Sequence, residues 1–145
     1  MTAPRLKRVM FVCIGNSCRS QMAEGFAHAY GQDVMTAESS GLSPAQSVAR
    51  GTVRTMAEKN IDISGQSPKA YEPAQAEECD VIINMSGFSL PGEVADRERD
   101  WDVLDPIGQS PEIYRQVCDQ IEVLVMDLIN ELRREKHRQT GIEEG

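Results

Sequence analysis

A cysteine and an arginine separated by five residues stand near the amino terminus, in the run CIGNSCRS at residues 13–20. A cysteine thiolate is a strong nucleophile, and an arginine guanidinium is a planar fork that can bind two oxygens of a tetrahedral anion. The loop between Cys13 and Arg19 leads into a helix-forming segment, where backbone N–H groups and the helix dipole favour a bound anion. The same positive field favours the thiolate form of Cys13. The run therefore predicts an enzyme that attacks a phosphate-like oxyanion with a thiol.

The other residues of this loop are expected to hold the anion or the loop itself. Asn16 and Gly15 tolerate left-handed backbone conformations, so we expect them to shape the turn. Cys18 is close enough in sequence to Cys13 for a reversible disulfide that would protect the nucleophile from further oxidation, the alternative being an inert loop residue. The backbone N–H groups expected to bind the oxyanion are those of Ile14, Gly15, Ser17, Cys18 and Arg19.

Strands and helices alternate along the chain around this loop. A buried strand at residues 8–12 precedes it, and residues 81–85 form the next clear buried strand. A first helix follows the loop and ends at Gly31. The alternation predicts an α/β fold, a single-domain three-layer sandwich around a central, mainly parallel four-stranded sheet. The remaining predicted elements are a strand at 33–38, a turn at 39–41, a helix over about 49–60, an edge strand at 101–103 and a long helix from Pro111.

Length and composition limit the kinds of protein this chain can be. Its 145 residues suit one domain, with about residues 139–145 as a frayed acidic tail. Lys and Arg number 15 against 23 Asp and Glu, and this balance disfavours nucleic-acid binding, which uses a basic surface. No stretch approaches the ~20 apolar residues of a membrane span. The four cysteines are unevenly spaced and lack histidine partners, so we expect no metal, and we expect no cofactor. Because Cys13 must be a free thiol to act, we expect a reducing, cytoplasmic setting.

Three residues with polar side chains are expected at one rim of the sheet. Cys13, Ser86 and Asp105 each fall at or just beyond the end of a predicted strand. Ligands of parallel sheets bind beyond the carboxyl ends of the strands, so these side chains are expected to share one site. Asp105 is a candidate general acid that would protonate a leaving oxygen. Because Asp-Pro also commonly starts a turn, the residues alone leave both roles open for Asp105.

The longer string VCIGNSCRSQMAEG at residues 12–25 resembles the amino-terminal signature of the low-molecular-weight protein tyrosine phosphatase family, including its arsenate reductase branch. In that family a general acid lies near the carboxyl terminus in an Asp-Pro pair, as Asp105 and Pro106 do here. The resemblance implies that Cys13 is the nucleophile, Arg19 the transition-state clamp and Asp105 the general acid. It also implies that the Ser20 hydroxyl stabilises the thiolate and that Asn16 organises the phosphate-binding Cys-x5-Arg loop.

The sequence departs from both branches of this family. Gln21 stands where the tyrosine phosphatases usually carry proline, and Ile107 with Gly108 replaces their aromatic pair. The sequence motifs are therefore closer to those of the arsenate reductases. The thioredoxin-linked arsenate reductases, however, need resolving cysteines after the strand at 81–85. This chain has Ser86 and Phe88 there, and neither can form a disulfide. The family's cation-binding segment is altered as well, with Pro68 and Lys69 beyond Ser64.

These observations predict a cysteine-dependent phosphatase that hydrolyses phosphomonoesters, with protein phosphotyrosine as the expected substrate, through a thiol-phosphate intermediate. An arsenate reductase that uses an external thiol or a glutaredoxin-type partner is the alternative. From another class, the loop could belong to a phosphate-binding module without turnover. The expected ligand in each case is a phosphate or arsenate oxyanion.

Overall fold

The computed structural model describes the backbone of residues 5–144 and the side chains of residues 5–139. Strands and helices alternate, as predicted. The four strands are β1 (Lys7–Cys13), β2 (Met35–Gly41), β3 (Val81–Asn84) and β4 (Glu98–Asp100). The four α-helices are α1 (Arg19–Tyr30), α2 (Arg50–Glu58), α3 (Pro73–Ala76) and α4 (Pro111–Glu144), and a 3₁₀ turn spans Ala95–Arg97.

The sheet has the order β2-β1-β3-β4, and all three neighbouring pairs are parallel. The chain leaves β1 toward β2 on one side and later returns past β1 to form β3 on the other. The carboxyl end of β1 is therefore the switch point of the sheet, where open parallel sheets bind their ligands. The loop at residues 14–18 lies at this point, and the predicted α/β fold with its Cys-x5-Arg loop after the first strand is confirmed.

Side chains of β1 alternate between two hydrophobic clusters, one on each face of the sheet. Val9 and Phe11 join the larger cluster, in which α1, α2 and α4 cover the sheet. Met10 and Val12 join a smaller cluster under α3 and the 3₁₀ turn. Because β1 is buried on both faces, it carries an almost unbroken apolar run, as strands of covered parallel sheets do. The expected three layers are present, with outer layers of unequal size.

Two predicted strands were placed wrongly. The strand expected at 33–38 is β2 at Met35–Gly41, so residues 39–41 continue the strand instead of turning. The parallel register with β1, ending at Cys13 opposite Gly41, extends the pairing over these small residues. The edge strand expected at 101–103 is β4 at Glu98–Asp100. Trp101 instead packs its ring 6.0 Å from that of Phe11.

The long helix from Pro111 is present, and its apolar stripe packs Val117, Ile121 and Leu128 into the larger cluster. Its backbone remains helical to Glu144, within the segment expected to be a frayed tail; the side chains of 140–144 and all of Gly145 lie outside the described residues. No helix among residues 5–144 is long and apolar enough to cross a membrane.

Candidate active site

The carbonyl groups of the loop at residues 14–18 accept hydrogen bonds from the chain segment that follows β2. Backbone N–H groups of residues 43–49 donate to the carbonyls of Ile14, Gly15 and Ser17 at 2.8, 2.9 and 3.0 Å. Within the described part of the chain, the amide N–H groups of residues 14–18 donate to no protein acceptor. The loop therefore carries a set of unused donors between the end of β1 and the first turn of α1. An anion placed there meets N–H groups and the positive end of a 12-residue helix.

Asn16 connects the loop to the nucleophile from behind. It is fully buried and has a left-handed backbone, with φ of 48°, whereas Gly15 lacks a positive φ. Its Nδ2 donates to Ser20 Oγ at 2.7 Å, and that oxygen lies 2.8 Å from Cys13 Sγ. The Lys69 backbone N–H donates to Asn16 Oδ1 at 2.8 Å. Ser20 thus contacts Cys13, and Asn16 contacts Ser20 and the backbone of Lys69. Neither Asn16 nor Ser20 is among the residues that line the open cleft.

Arg19 begins α1 and is only 6% exposed. Its Nη1 donates to the carbonyls of Met85 and Val103, which anchors the guanidinium between the segments that follow β3 and β4. Its Nη2 lies 3.8 Å from Asp105 Oδ2. A cation in the first turn of a helix opposes the helix dipole, so this position suits an arginine that binds an anion. One nitrogen fixes the side chain while the other remains directed toward Asp105.

Asp105 reaches the same cleft from the far end of the chain. The cleft has a volume of about 200 Å³ and is lined by residues 13–15, residues 17–19, Asp105 and Ile107. Asp105 Oδ1 accepts the backbone N–H of Ile107 at 3.2 Å, a turn of the kind that Asp-Pro favours. The carboxylate is nevertheless 45% exposed and faces Arg19, so the turn and the position at the cleft occur together. The predicted nucleophile, clamp and acid therefore meet in one cleft.

Gln21 supports the loop in a way that the sequence analysis did not predict. It is fully buried in α1, and its Nε2 donates to the carbonyls of Asn16 and Ser67, both at 3.0 Å. Its Oε1 accepts a bond from Gln66 Nε2 at 2.6 Å. The segment at residues 66–69 is thereby tied across the back of the loop. A proline at position 21 could make none of these side-chain bonds.

Four cysteines occupy three separate environments. Cys18 lies in the cleft with Cys13, and burial raises the pKa of Cys18 to about 12, with the nearby Cys13 and Asp105 adding to the shift. Cys79 belongs to the hydrophobic cluster on the other face of the sheet, where burial also raises its pKa to about 12. Cys118, on the buried face of α4, packs against Met56 of α2, and burial again raises the pKa of Cys118 to about 12. Ser86, expected at the same site as Cys13 and Asp105, is not among the residues that line the cleft; its hydroxyl donates to Asn84 Oδ1 at 2.6 Å, and it supplies no thiol.

Two further supports of the loop come from β2 and α2. A Cβ on Gly41 would lie 2.7 Å from the carbonyl oxygen of Ile14 and 2.8 Å from the amide nitrogen of Asn16. Only glycine lets the end of β2 approach the loop so closely. Thr52 Oγ1 donates to the carbonyl of Ser17 at 2.9 Å. The run of small residues at 39–41 was a sequence signal for the close approach of Gly41 to the loop. No sequence pattern indicated the hydrogen bond from Thr52.

A profile of the family described as low molecular weight phosphotyrosine protein phosphatase matches residues 8–90 and 93–138. The chain belongs to this family. Its members and relatives named here are enzymes, phosphatases or arsenate reductases. The chain is 43% identical over 128 residues to the "Glutaredoxin arsenate reductase" of Synechocystis sp., which covers 86% of this chain and 97% of that protein.

Solved structures place this low-molecular-weight phosphatase family member near both kinds of enzyme. "An arsenate reductase in the phosphate binding state" superposes with a TM-score of 0.82 at 41% identity, covering 88% of this chain and 99% of that one. The low molecular weight protein tyrosine phosphatase from T. tengcongensis superposes with a TM-score of 0.79 at 27% identity, covering 86% and 99%. The predicted family resemblance is confirmed, and the oxyanion as ligand class is supported by the phosphate-bound relative.

Proposed function

We propose that this protein is a cysteine-dependent phosphatase that hydrolyses phosphomonoesters, with phosphotyrosine in proteins as its substrate. The Cys13 thiolate attacks phosphorus, a sulfur–phosphorus bond forms, and the ester oxygen leaves with a proton from Asp105. Arg19 and the amide groups of residues 14–18 bind the three equatorial oxygens as charge spreads over them. The Ser20 hydroxyl, 2.8 Å from Cys13 Sγ, stabilises the thiolate before attack and after release.

The second half of the reaction uses water. Asp105, now a carboxylate, takes a proton from a water molecule that attacks phosphorus and breaks the sulfur–phosphorus bond. Inorganic phosphate leaves and the Cys13 thiolate is restored. The partial exposure of Asp105 gives that water a route to the intermediate. No oxidation or reduction occurs in either step, so the reaction needs no second thiol and no cofactor.

The distribution of thiols is the observation that carries this proposal. Within the described residues, the cleft holds Cys13 and Cys18, while Cys79 and Cys118 lie in hydrophobic clusters on opposite faces of the sheet. The loop after β3 carries Ser86 and Phe88. A thiol relay from the cleft to a large protein reductant has no intermediate position in this arrangement. Hydrolysis needs none, which favours the phosphatase.

The second candidate is an arsenate reductase, favoured by the 43% identity to a protein named "Glutaredoxin arsenate reductase". In this chemistry Cys13 binds arsenate, and Cys13 with one external thiol supplies two electrons. Arsenic(V) becomes arsenic(III), and a mixed disulfide joins Cys13 to the external thiol. A second external thiol or a glutaredoxin-type protein then reduces that disulfide. The reaction is compatible with the absence of a relay because the second thiol comes from solution.

The two candidates are separated by assays of the purified protein with defined reductants. We expect hydrolysis of para-nitrophenyl phosphate when thioredoxin, thioredoxin reductase and NADPH are the reductants present. Arsenate should drive no sustained NADPH oxidation in that mixture. Replacing this system with glutathione, glutaredoxin, glutathione reductase and NADPH tests the second candidate. Sustained arsenate-dependent oxidation there, without phosphatase activity, would establish the reductase and reject the phosphatase.

Cysteine variants complete this test. Cys13→Ser should abolish hydrolysis while the protein still binds phosphate, because a hydroxyl is a far poorer nucleophile but the donors of the loop remain. Cys79→Ser and Cys118→Ser are matched controls and should hydrolyse para-nitrophenyl phosphate like the unmodified protein. Thioredoxin-coupled arsenate reduction that is lost in either control variant would reveal a relay and overturn the proposal.

A further inference from the structure

A second cavity lies beside the candidate active site, between α2 and the start of α4. Its volume is about 300 Å³, and its lining includes Arg54, Glu58, Tyr114 and Arg115. Residues 108–109 form part of its wall. They follow directly after Ile107, which lines the catalytic cleft, so one short loop borders both cavities.

The floor of this second cavity is tightly packed and close to the catalytic loop. The Tyr114 ring packs on Gly51 so tightly that a Cβ on this glycine would lie 2.7–3.0 Å from three ring carbons. Burial raises the pKa of Tyr114, and the nearby Cys18 and Asp105 raise it further, which reflects how close the ring lies to the catalytic cleft. Thr52, the next residue of α2, binds the carbonyl of Ser17 in the loop. Gly51 in the lining of the second cavity and its neighbour Thr52, which binds the loop, therefore connect the two cavities through α2.

An arginine without a hydrogen bond lines the cavity, and its charge acts on a neighbouring carboxylate: the pKa of Glu58 is lowered mainly by Arg115 and to a smaller extent by Arg54. Arg54 makes no hydrogen bond or close ion pair with any residue that the structure describes. The carboxylate one turn away, Glu58, is taken by Arg115, whose Nε and Nη2 lie 2.9 and 3.0 Å from its two oxygens. Arg50 stands one turn before Arg54 and has no partner in the described residues either, although a cation in the first turn opposes the helix dipole.

The charge of the whole protein makes this local arrangement significant. The net charge is −8, so the overall field repels an acidic partner. The charged side chains that line this cavity, Arg54, Arg115 and Glu58, sum to one positive charge. The exposed Arg50 on the same helix has no hydrogen bond or ion pair in the described residues and adds to this local positive charge. A free guanidinium binds carboxylates in a planar, two-pointed geometry.

We propose that the cavity lined by Arg54 is an anion subsite that receives the carboxylate of an aspartate or glutamate close to the phosphorylated residue of a substrate protein. The inference rests on the proposed function, because it names the class of protein that the phosphatase selects. Arg54 binds the carboxylate, Arg50 adds positive potential, and the Tyr114 ring forms the wall beneath. Glu58 accepts its hydrogen bonds from Arg115, so the N–H donors of Arg54 remain available, although the charge of Arg54 also acts on Glu58.

The test compares two phosphotyrosine peptides that differ only in acidic or neutral residues beside the phosphotyrosine. The unmodified protein should hydrolyse the acidic peptide with the higher kcat/KM, and the preference should shrink as salt is added, because exposed charges are screened. Arg54→Glu should lower the ratio of the two kcat/KM values by about fivefold to tenfold, the size of a partly exposed ion pair replaced by a repulsive contact. Glu58→Gln should raise that ratio.

Arg134→Glu is the matched control, since Arg134 is also an exposed arginine that makes no hydrogen bond or ion pair with a described residue and acts only through its charge on a nearby glutamate, on the carboxyl-terminal part of α4. In this variant the ratio of kcat/KM for the acidic peptide to kcat/KM for the neutral peptide should equal that of the unmodified protein. An unmodified protein without acidic preference, or an Arg54→Glu variant with an unchanged ratio, would overturn the subsite. Using the ratio removes any general loss of activity from the comparison.

A binding experiment keeps this inference separate from the proposed function. Titration calorimetry on the Cys13→Ser protein measures the dissociation constants of the same two peptides without turnover. Tighter binding of the acidic peptide that is lost on adding Arg54→Glu supports the subsite, even if the protein hydrolyses no aryl phosphate. Equal binding of both peptides would reject the subsite, even if hydrolysis is observed.

Discussion

Gln21 offers the sharpest test of how this fold holds its loop. In Gln21→Leu, the carbonyl of Asn16 loses its donor in a fully buried position, which costs about 1–3 kcal/mol. The bonds to Ser67 and Gln66 lie nearer the surface, where water replaces them, and each contributes about 0.5–1.5 kcal/mol. Since leucine recovers part of this through apolar burial, we expect the free energy of unfolding to fall by about 2–4 kcal/mol.

Activity should fall together with stability. Without the bond from Gln21, nothing in α1 holds the Asn16 carbonyl, and the left-handed turn at Asn16 loses a restraint next to Ser20 and Cys13. Displacing reacting groups by a fraction of an ångström lowers turnover steeply, so we expect kcat on para-nitrophenyl phosphate to fall by about 10- to 100-fold. Gln21→Glu keeps the side-chain shape but turns a donor into an acceptor facing two carbonyl oxygens. It should be at least as damaging at neutral pH.

Urea unfolding followed by the fluorescence of Trp101, the single tryptophan, measures the stability change. Gln116→Leu is the matched control, because Gln116 is exposed on α4 and makes no hydrogen bond with a described residue; its effect should stay within about 0.5 kcal/mol. A Gln21→Leu protein whose unfolding free energy and kcat both match those of the control would refute the reasoning.

Three other predictions concern the acid, a surface carboxylate and a packed glycine. Asp105→Asn should slow hydrolysis by about 10²–10⁴-fold, with a smaller loss for substrates with good leaving groups; equal losses across leaving groups would indicate a structural role only. Hydrogen bonds from Arg5 and from the Arg8 backbone hold the pKa of Asp80 at about 2, below its ordinary 3.8. Its carboxylate therefore stabilises the fold above about pH 4, and this contribution disappears as pH falls toward 2. Asp80→Asn should flatten the dependence of unfolding free energy on pH across that window, and an unaltered dependence would contradict the assignment. Gly51→Ala should cost about 1–3 kcal/mol because the Tyr114 ring must move, and a stability equal to that of the unmodified protein would show that the ring yields freely.

The sequence by itself determined the parts of this protein that depend on neighbours along the chain. The segment from β1 through the loop to α1 is contiguous. The apolar strand, the Cys-x5-Arg spacing and the start of the helix could therefore all be predicted from it together. The position of α4 followed from Pro111 and a long apolar stripe for the same reason. Parallel pairing of the strands followed from their alternation with helices, and this placed the cleft at the carboxyl end of β1.

Only the tertiary structure decided which distant segments meet at the loop. The extent of β2 depends on pairing with β1, which overrides the turn tendency of residues 39–41. The bonds from Gln21 to Ser67 and from Thr52 to Ser17 join residues that are 46 and 35 positions apart. Such contacts form because packed surfaces must fit in shape and buried polar groups must find hydrogen-bond partners. Both conditions depend on the folded structure and cannot be predicted from local patterns along the chain. The predicted strand ends already placed Asp105 on the same rim of the sheet as Cys13. Its role as general acid opposite Arg19 was predicted only through family resemblance, since the residues alone left a turn equally open.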